Sequence, residues 1–422
     1  MPRSLVVLGQ VVRCRTVLRV EVAFAAFNLA EYGVWVTVLV YAYGHGGATA
    51  TALVAVAQLV PAGLLAPTLT TVLQRHGASA ALRRGYEIQA VSLTLLTASL
   101  LANLPGALVY ATAVSAAIAV TVTRPAQAVL VPTIVVAPDE LTAVNVVSGW
   151  VESVCILAGP AMAGLMIAVA NPGATVGLFA AGTVVAAVVC PAGRAAAKSV
   201  GERPLVAAKP TDLDDVPAWP VVWLLGAEFA VIGMIDVLSV VLAVSVLALG
   251  PSGAGYLNAA FGAGGAAGAV IAATLIGHRR LTAPLYIAGA AWSAIMAALG
   301  LTLTSPGAFA LLACAGSARA VLDASGRTIL MRTQSAAARA TLFGRLEAFA
   351  MLGLALGSLL VPALVAVGGA SAALEGASAL LAVATLANVT RLSRRRIVSE
   401  HERQDGRRDR VESGTCPRSS CA

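Results

Sequence analysis

The chain has 422 residues, of which 59% are hydrophobic and only 11% charged; its mean hydropathy is +0.86 and its formal net charge +8. Soluble domains are about 45–50% apolar and about 25% charged. The polar surface is therefore too small to cover a water-soluble globule, which excludes an ordinary cytosolic enzyme, a disordered chain and a disulfide-stapled secreted module, and implies a protein embedded in a membrane.

A spanning helix needs roughly 20 mostly apolar residues. In chain order, twelve stretches qualify: about 20–43, 50–73, 84–102, 107–131, 141–169, 174–192, 219–248, 253–276, 283–303, 307–330, 341–367 and 370–390. Turn chemistry separates them, as in His45-Gly46-Gly47, Leu104-Pro105-Gly106, Asn171-Pro172-Gly173 and Gly250-Pro251-Ser252-Gly253. The short N-terminal apolar run Leu5–Val12 leads into Arg13, Arg15 and Arg19 without a small-residue cleavage site, unlike a signal peptide.

The loops near 44–49, 103–106, 170–173, 249–252, 304–306 and 368–371 contain no charged residue, whereas the alternate loops carry charge, acidic at Asp139-Glu140 and otherwise with basic clusters, and both termini are basic. Positive charge marks the cytoplasmic side. The expectation is an even number of spans, with both termini cytoplasmic, in the plasma or inner membrane. The same clusters, free of interleaved aromatics, suit anionic lipid rather than nucleic acid.

Along the first stretch, Asn28, Glu31, Tyr32 and Trp35 share one helical face. A charge inside a membrane is expensive unless paired or solvated, so each such residue is a functional candidate. Burial penalises the ionised form of a carboxylate, which makes Glu31 a candidate proton carrier. Glu152, beside Trp150, falls near the middle of the fifth stretch. Residues 194–218 form the one long polar connection, dividing residues 1–193 from 219–392. In the seventh stretch, Glu228 and Asp236 have no basic residue on their own span. The tenth carries Arg319, Asp323 and Arg327 on one stripe, spaced for i,i+4 ion pairs. Arg124 in the fourth and Arg327 in the tenth lie towards the cytoplasmic end and are expected to serve as structural gate residues. Glu347, early in the eleventh, reads as an interfacial carboxylate. Residues 393–422 are basic and are expected to be a disordered cytoplasmic tail.

The two parts look related. Glu31 corresponds to Asp236, Pro105-Gly106-Ala107 recurs as Pro306-Gly307-Ala308, and Gly149-x-x-Glu152 recurs as Gly344-x-x-Glu347. Three matches in order favour a duplication. Both parts start on the same side, so the repeats are parallel and place a substrate site between them near the midplane.

At this point the chain resembles the major facilitator superfamily, and within it the drug-efflux-type exporters that include macrolide and siderophore exporters. Three motifs carry the resemblance. Leu73-Gln74-Arg75-His76-Gly77 with Arg83-Arg84 is similar to the signature between helices 2 and 3, with Gln74 where an Asp is usual. Gly159-Pro160-Ala161-Met162-Ala163-Gly164 resembles the antiporter motif of helix 5, with Ala163 replacing a Gly. Thr123-Arg124-Pro125 through Pro132, with Asp139-Glu140-Leu141 and Asn145, resembles the helix 4–5 junction. The resemblance implies an all-α polytopic fold, two six-helix halves, and gate roles for Arg75, Gly77, Arg83, Arg84, Gly159, Pro160 and Gly164.

No phosphate-binding Gly-x-x-x-x-Gly-Lys motif occurs, so ATP is not expected to drive the chain. The six cysteines are scattered and the four histidines isolated, so no metal or cofactor is expected. The expectation is a monomeric secondary transporter, not an enzyme, that exports a small, lipophilic compound in exchange for protons, with membrane lipids around it. An uptake symporter of a small metabolite is the alternative. A non-transporting membrane sensor or scaffold is the distant one, and a lipid-modifying enzyme would need a catalytic cluster that the isolated histidines do not offer.

Overall fold

The computed structural model describes residues 13–74, 78–134, 138–190, 218–274, 281–302, 304–333 and 336–412. All regular structure among them is helical. The helices are α1 (Arg15–Gln74), α2 (Ala78–Leu101), α3 (Gly106–Ile134), α4 (Pro138–Val169), α5 (Pro172–Val189), α6 (Ala218–Val241), α7 (Gly250–Thr274), α8 (Thr282–Thr302), α9 (Ser305–Thr333) and α10 (Ala336–Glu412).

Two of these rods are divided internally. α1 breaks at Gly46-Gly47, where Gly47 has φ 61°, and α10 breaks at Gly368-Gly369, where Gly369 has φ 69°. A side chain at either position would strain the backbone, so glycine lets the chain reverse between two antiparallel arms. At the end of α6 the chain widens into a π-turn, Leu242–Val246, before the left-handed Ala248 and Gly250 redirect it into α7. Asn171 caps α5 by accepting the Ala174 N–H at 2.9 Å, and Pro172 follows at the first helical position.

Two groups of helices, α1–α5 and α6–α10, lie on either side of residues 191–217. They meet where α4 packs on α7 and where α1 packs on α10, α6 and α7. Val36, Leu39 and Val40 of α1 join the buried core built by Val231, Ile235, Leu238, Phe261 and Trp292 of the second group. Gly255 of α7 lies against the backbone of Pro160 and Gly164 in α4, and a Cβ on Gly164 would come within 2.8 Å of the Ser252 carbonyl. Such small residues let backbones approach where apolar burial alone cannot hold helices together in lipid.

The outer surface is apolar. Leu64 is 74% exposed, Leu301 80% and Val367 87%, while Asn28 and Glu228 are fully enclosed. Large exposed aliphatics around a polar interior are what a lipid solvent selects. Seven helical stretches among the described residues are long and apolar enough to cross a membrane.

α10 continues as helix to Glu412. The segment from Arg391 is rich in Arg and Glu, both good helix formers, and it extends an existing helix without a new nucleation step. The connection 194–218 falls almost entirely outside the described residues.

Candidate functional site

The ionisable side chains converge midway along the helices. Arg319 lies at the centre, about 21 Å along α9 from Ser305 at 1.5 Å per residue. Its Nε donates to Glu228 Oε1 of α6 at 3.2 Å, and Glu228 is fully buried. One turn on, Asp323 Oδ1 accepts from Arg327 Nε at 2.7 Å. The pairing along the stripe therefore differs from the i,i+4 expectation for Arg319: that guanidinium turns to another helix, and Asp323 takes Arg327 instead.

The first helix group closes the site from the opposite side. Trp35 of α1 packs on the buried core of the second group beside the carboxylate of Asp236 on α6, and that carboxylate lies within electrostatic reach of Arg319. Tyr32 Oη donates to Glu152 Oε1 of α4 at 3.2 Å, and the same phenol lies within electrostatic reach of Arg319. Glu31 is half-buried beside Tyr32. Asn28 is fully buried and donates through Nδ2 to the Phe24 carbonyl of its own helix at 2.8 Å. Towards the π-turn, the hydroxyls of Tyr43 and Ser245 hydrogen-bond across the same α1–α6 seam.

Gly159 and Pro160 sit behind this cluster. A Cβ on Gly159 would meet the Leu29 carbonyl at 3.0 Å and Tyr32 Cβ at 3.1 Å, so glycine there lets α4 press against the segment of α1 that carries Tyr32. Gly164, one turn further, faces α7. The Gly-Pro segment thus lies between both partners of α4.

Of the remaining motif residues, Arg83 and Arg84 lie away from the cluster. Arg83 pairs with Glu87 at 2.8 Å on the surface of α2, and Arg84 is exposed. Arg75 and Gly77 lie outside the described residues. Arg124 falls on α3 and Glu347 on α10, with side chains outside the described ones.

The structure also brings in residues that the sequence reading passed over. Glu21 is buried on α1 and accepts a hydrogen bond from Ser148 of α4 at 2.6 Å. Ser239 accepts from Asn258 Nδ2 at 2.7 Å between α6 and α7. Helical spacing carries a signal for Glu21, because 17, 21, 24, 28 and 31 follow one face of α1. Its place beside Arg19, at the edge of the expected span, disguised it.

By sequence, neither a family model nor a characterised protein matches the chain. By structure, it is similar to a POT family transporter in complex with a thioalcohol-conjugated peptide, at a TM-score of 0.72 and 13% identity over 89% of this chain and 96% of that one. It is similar to the human organic anion transporter MFSD10 (TETRAN), at a TM-score of 0.61 and 16% identity over 89% of this chain and 99% of the other. It is also similar to the nucleoside transporter NupG, at a TM-score of 0.62 and 13% identity with the same coverages, 89% and 99%. At these identities the likeness establishes a shared helical fold.

Proposed function

We propose that this chain is a secondary active transporter of twelve spans in two six-helix halves, with both termini cytoplasmic. It exports a small, lipophilic compound in exchange for protons by alternating access. The observation that carries the reading is the central cluster. Ionisable groups from both helix groups (Glu152 with Tyr32 on one side, Glu228, Asp236 and Arg319 on the other) meet inside a bundle whose exterior is aliphatic. Such groups are too costly in lipid to persist without a task. The three solved structures named above are transporters, which supports the class of activity.

The pattern of seams supports two repeats. If Glu31 matches Asp236, then α1's first arm exchanges with α6, and α4 exchanges with the first arm of α10. The same exchange turns the α4–α7 seam into the contact between α1's second arm and α10, where Gly63 approaches Met351. A site on that axis is reachable alternately from either face when the halves rock.

Proton exchange rests on the charge balance. Glu228 and Asp236 of α6 share Arg319, and Asp323 is held by Arg327. The negative charge left on the α6 pair is neutralised by protons or by a cationic group on the substrate, and competition between the two is the chemistry of antiport. Export rather than uptake follows the likeness of Gly159-Pro160 to the antiporter motif.

Proteoliposomes loaded with a panel of lipophilic fluorescent dyes test the reading. A pH gradient should drive dye movement against its concentration gradient, and collapsing the gradient with a protonophore should stop it. Dye movement indifferent to the gradient would contradict proton coupling.

A further inference from the structure

Glu21 lies outside the central cluster and has no part in the transport scheme. It stands about ten residues before Glu31 on α1 and is 5% exposed. Its side chain enters a pocket lined by Val17 and Val20 of α1, Val131 and Ile134 of α3, and Val144 of α4. Oε1 accepts from Ser148 Oγ at 2.6 Å, while the enclosed Oε2 has no partner among the described residues.

The groups that could balance a negative charge there are engaged or turned away. On α1, Arg15 and Arg19 are exposed. On α2, Arg83 and Glu87 close on each other at 2.8 Å. Tyr86, fully buried, faces Glu21 with a neutral phenol, and Cys190 at the end of α5 lies beside it. The described pocket residues of α3 and α4 are aliphatic, with the Ser148 hydroxyl as the one polar addition. Among the described side chains, an ionised carboxylate in such a box loses its water and gains no cation.

A proton on Oε2 resolves this. It removes the charge, leaves Oε1 as the carbonyl that accepts from Ser148, and turns the enclosed oxygen into a donor. Gln127 Oε1 and Tyr86 Oη are likewise buried without a partner among the described residues, and Gln127 shares a face of α3 with Val131 and Ile134.

We propose that Glu21 is a proton-binding site of this protein, separate from the central cluster and occupied in this conformation. The site is closed by α1, α3 and α4 of the first helix group alone, so its proton is independent of which compound the protein carries.

Infrared spectroscopy of the purified full-length protein tests this without any transport measurement, so its outcome is separate from that of the transport scheme. At neutral pH the wild type should show a protonated-carboxyl C=O band that Glu21→Gln lacks. Ser148→Ala should keep the band but move it to higher frequency, because the carbonyl loses its donor. A Glu21→Gln spectrum that loses only ionised-carboxylate bands would overturn the proposal. If Glu21→Gln fails to fold, Ser148→Ala decides: a shifted band supports the site, and an unshifted spectrum overturns it.

Discussion

Trp35 of α1 and the carboxylate of Asp236 on α6 lie beside each other across the boundary between the two helix groups, where Trp35 packs on the buried core of the second group. Rocking of the groups about this seam must change that contact. Trp35→Phe keeps an aromatic ring and removes the indole N–H. It should leave the melting temperature within a few degrees of the wild type and cut gradient-driven transport at least about tenfold, as read in proteoliposomes. Unchanged transport would mean that the contact is incidental.

The Glu228–Arg319 pair should behave asymmetrically under substitution. Arg319→Ala leaves a fully buried carboxylate without its guanidinium and should cost about 3–5 kcal/mol. The double variant Glu228→Gln with Arg319→Gln removes both charges and should recover much of that loss in a thermal melt. Equal instability of single and double variants would show that the pair's charge is not what holds α6 to α9.

Close packing at the α4–α7 seam predicts a steric effect. A Cβ on Gly164 falls 2.8 Å from the Ser252 carbonyl, a backbone atom that cannot rotate away. Gly164→Val should cost about 1–3 kcal/mol through overpacking and depress transport. Gly265→Ala, whose nearest contact is 3.9 Å, should be close to neutral in the same assay.

Orientation can be read by thiol labelling in a background lacking the native cysteines. Gly46→Cys, Leu104→Cys and Gly369→Cys should react with an impermeant reagent from outside the cell, and Arg84→Cys and Glu402→Cys only after permeabilisation. Labelling of Arg84→Cys in intact cells would reverse the topology.

Much of the fold was legible because membrane helices are local. Length and apolarity mark the rods, and glycine pairs at 46–47 and 368–369 mark reversals that depend on one residue's φ. The face shared by Glu31, Tyr32 and Trp35 was legible for the same reason, since 3.6-residue periodicity needs no partner. What each side chain touches was not. Tyr32 reaches Glu152 and Arg319 reaches Glu228 only after α1 packs on α4 and α6 on α9. No spacing rule links residues 120 and 91 positions apart. The stripe of Arg319, Asp323 and Arg327 shows the limit well. Sequence offers two equivalent i,i+4 pairs, and tertiary packing chose one of them and sent Arg319 elsewhere.

The central claim is that acids in the bundle interior carry protons while the protein alternates. The most direct measurement is gradient-driven dye transport in proteoliposomes containing Glu31→Gln, Asp236→Asn and the double variant, alongside dye binding to the same purified proteins. Each amide fixes its position in a neutral form of nearly the same shape. The account predicts that binding survives while transport driven by the pH gradient is lost, more completely for Glu31→Gln than for Asp236→Asn. Normal gradient-driven transport by both single variants and by the double variant would contradict it.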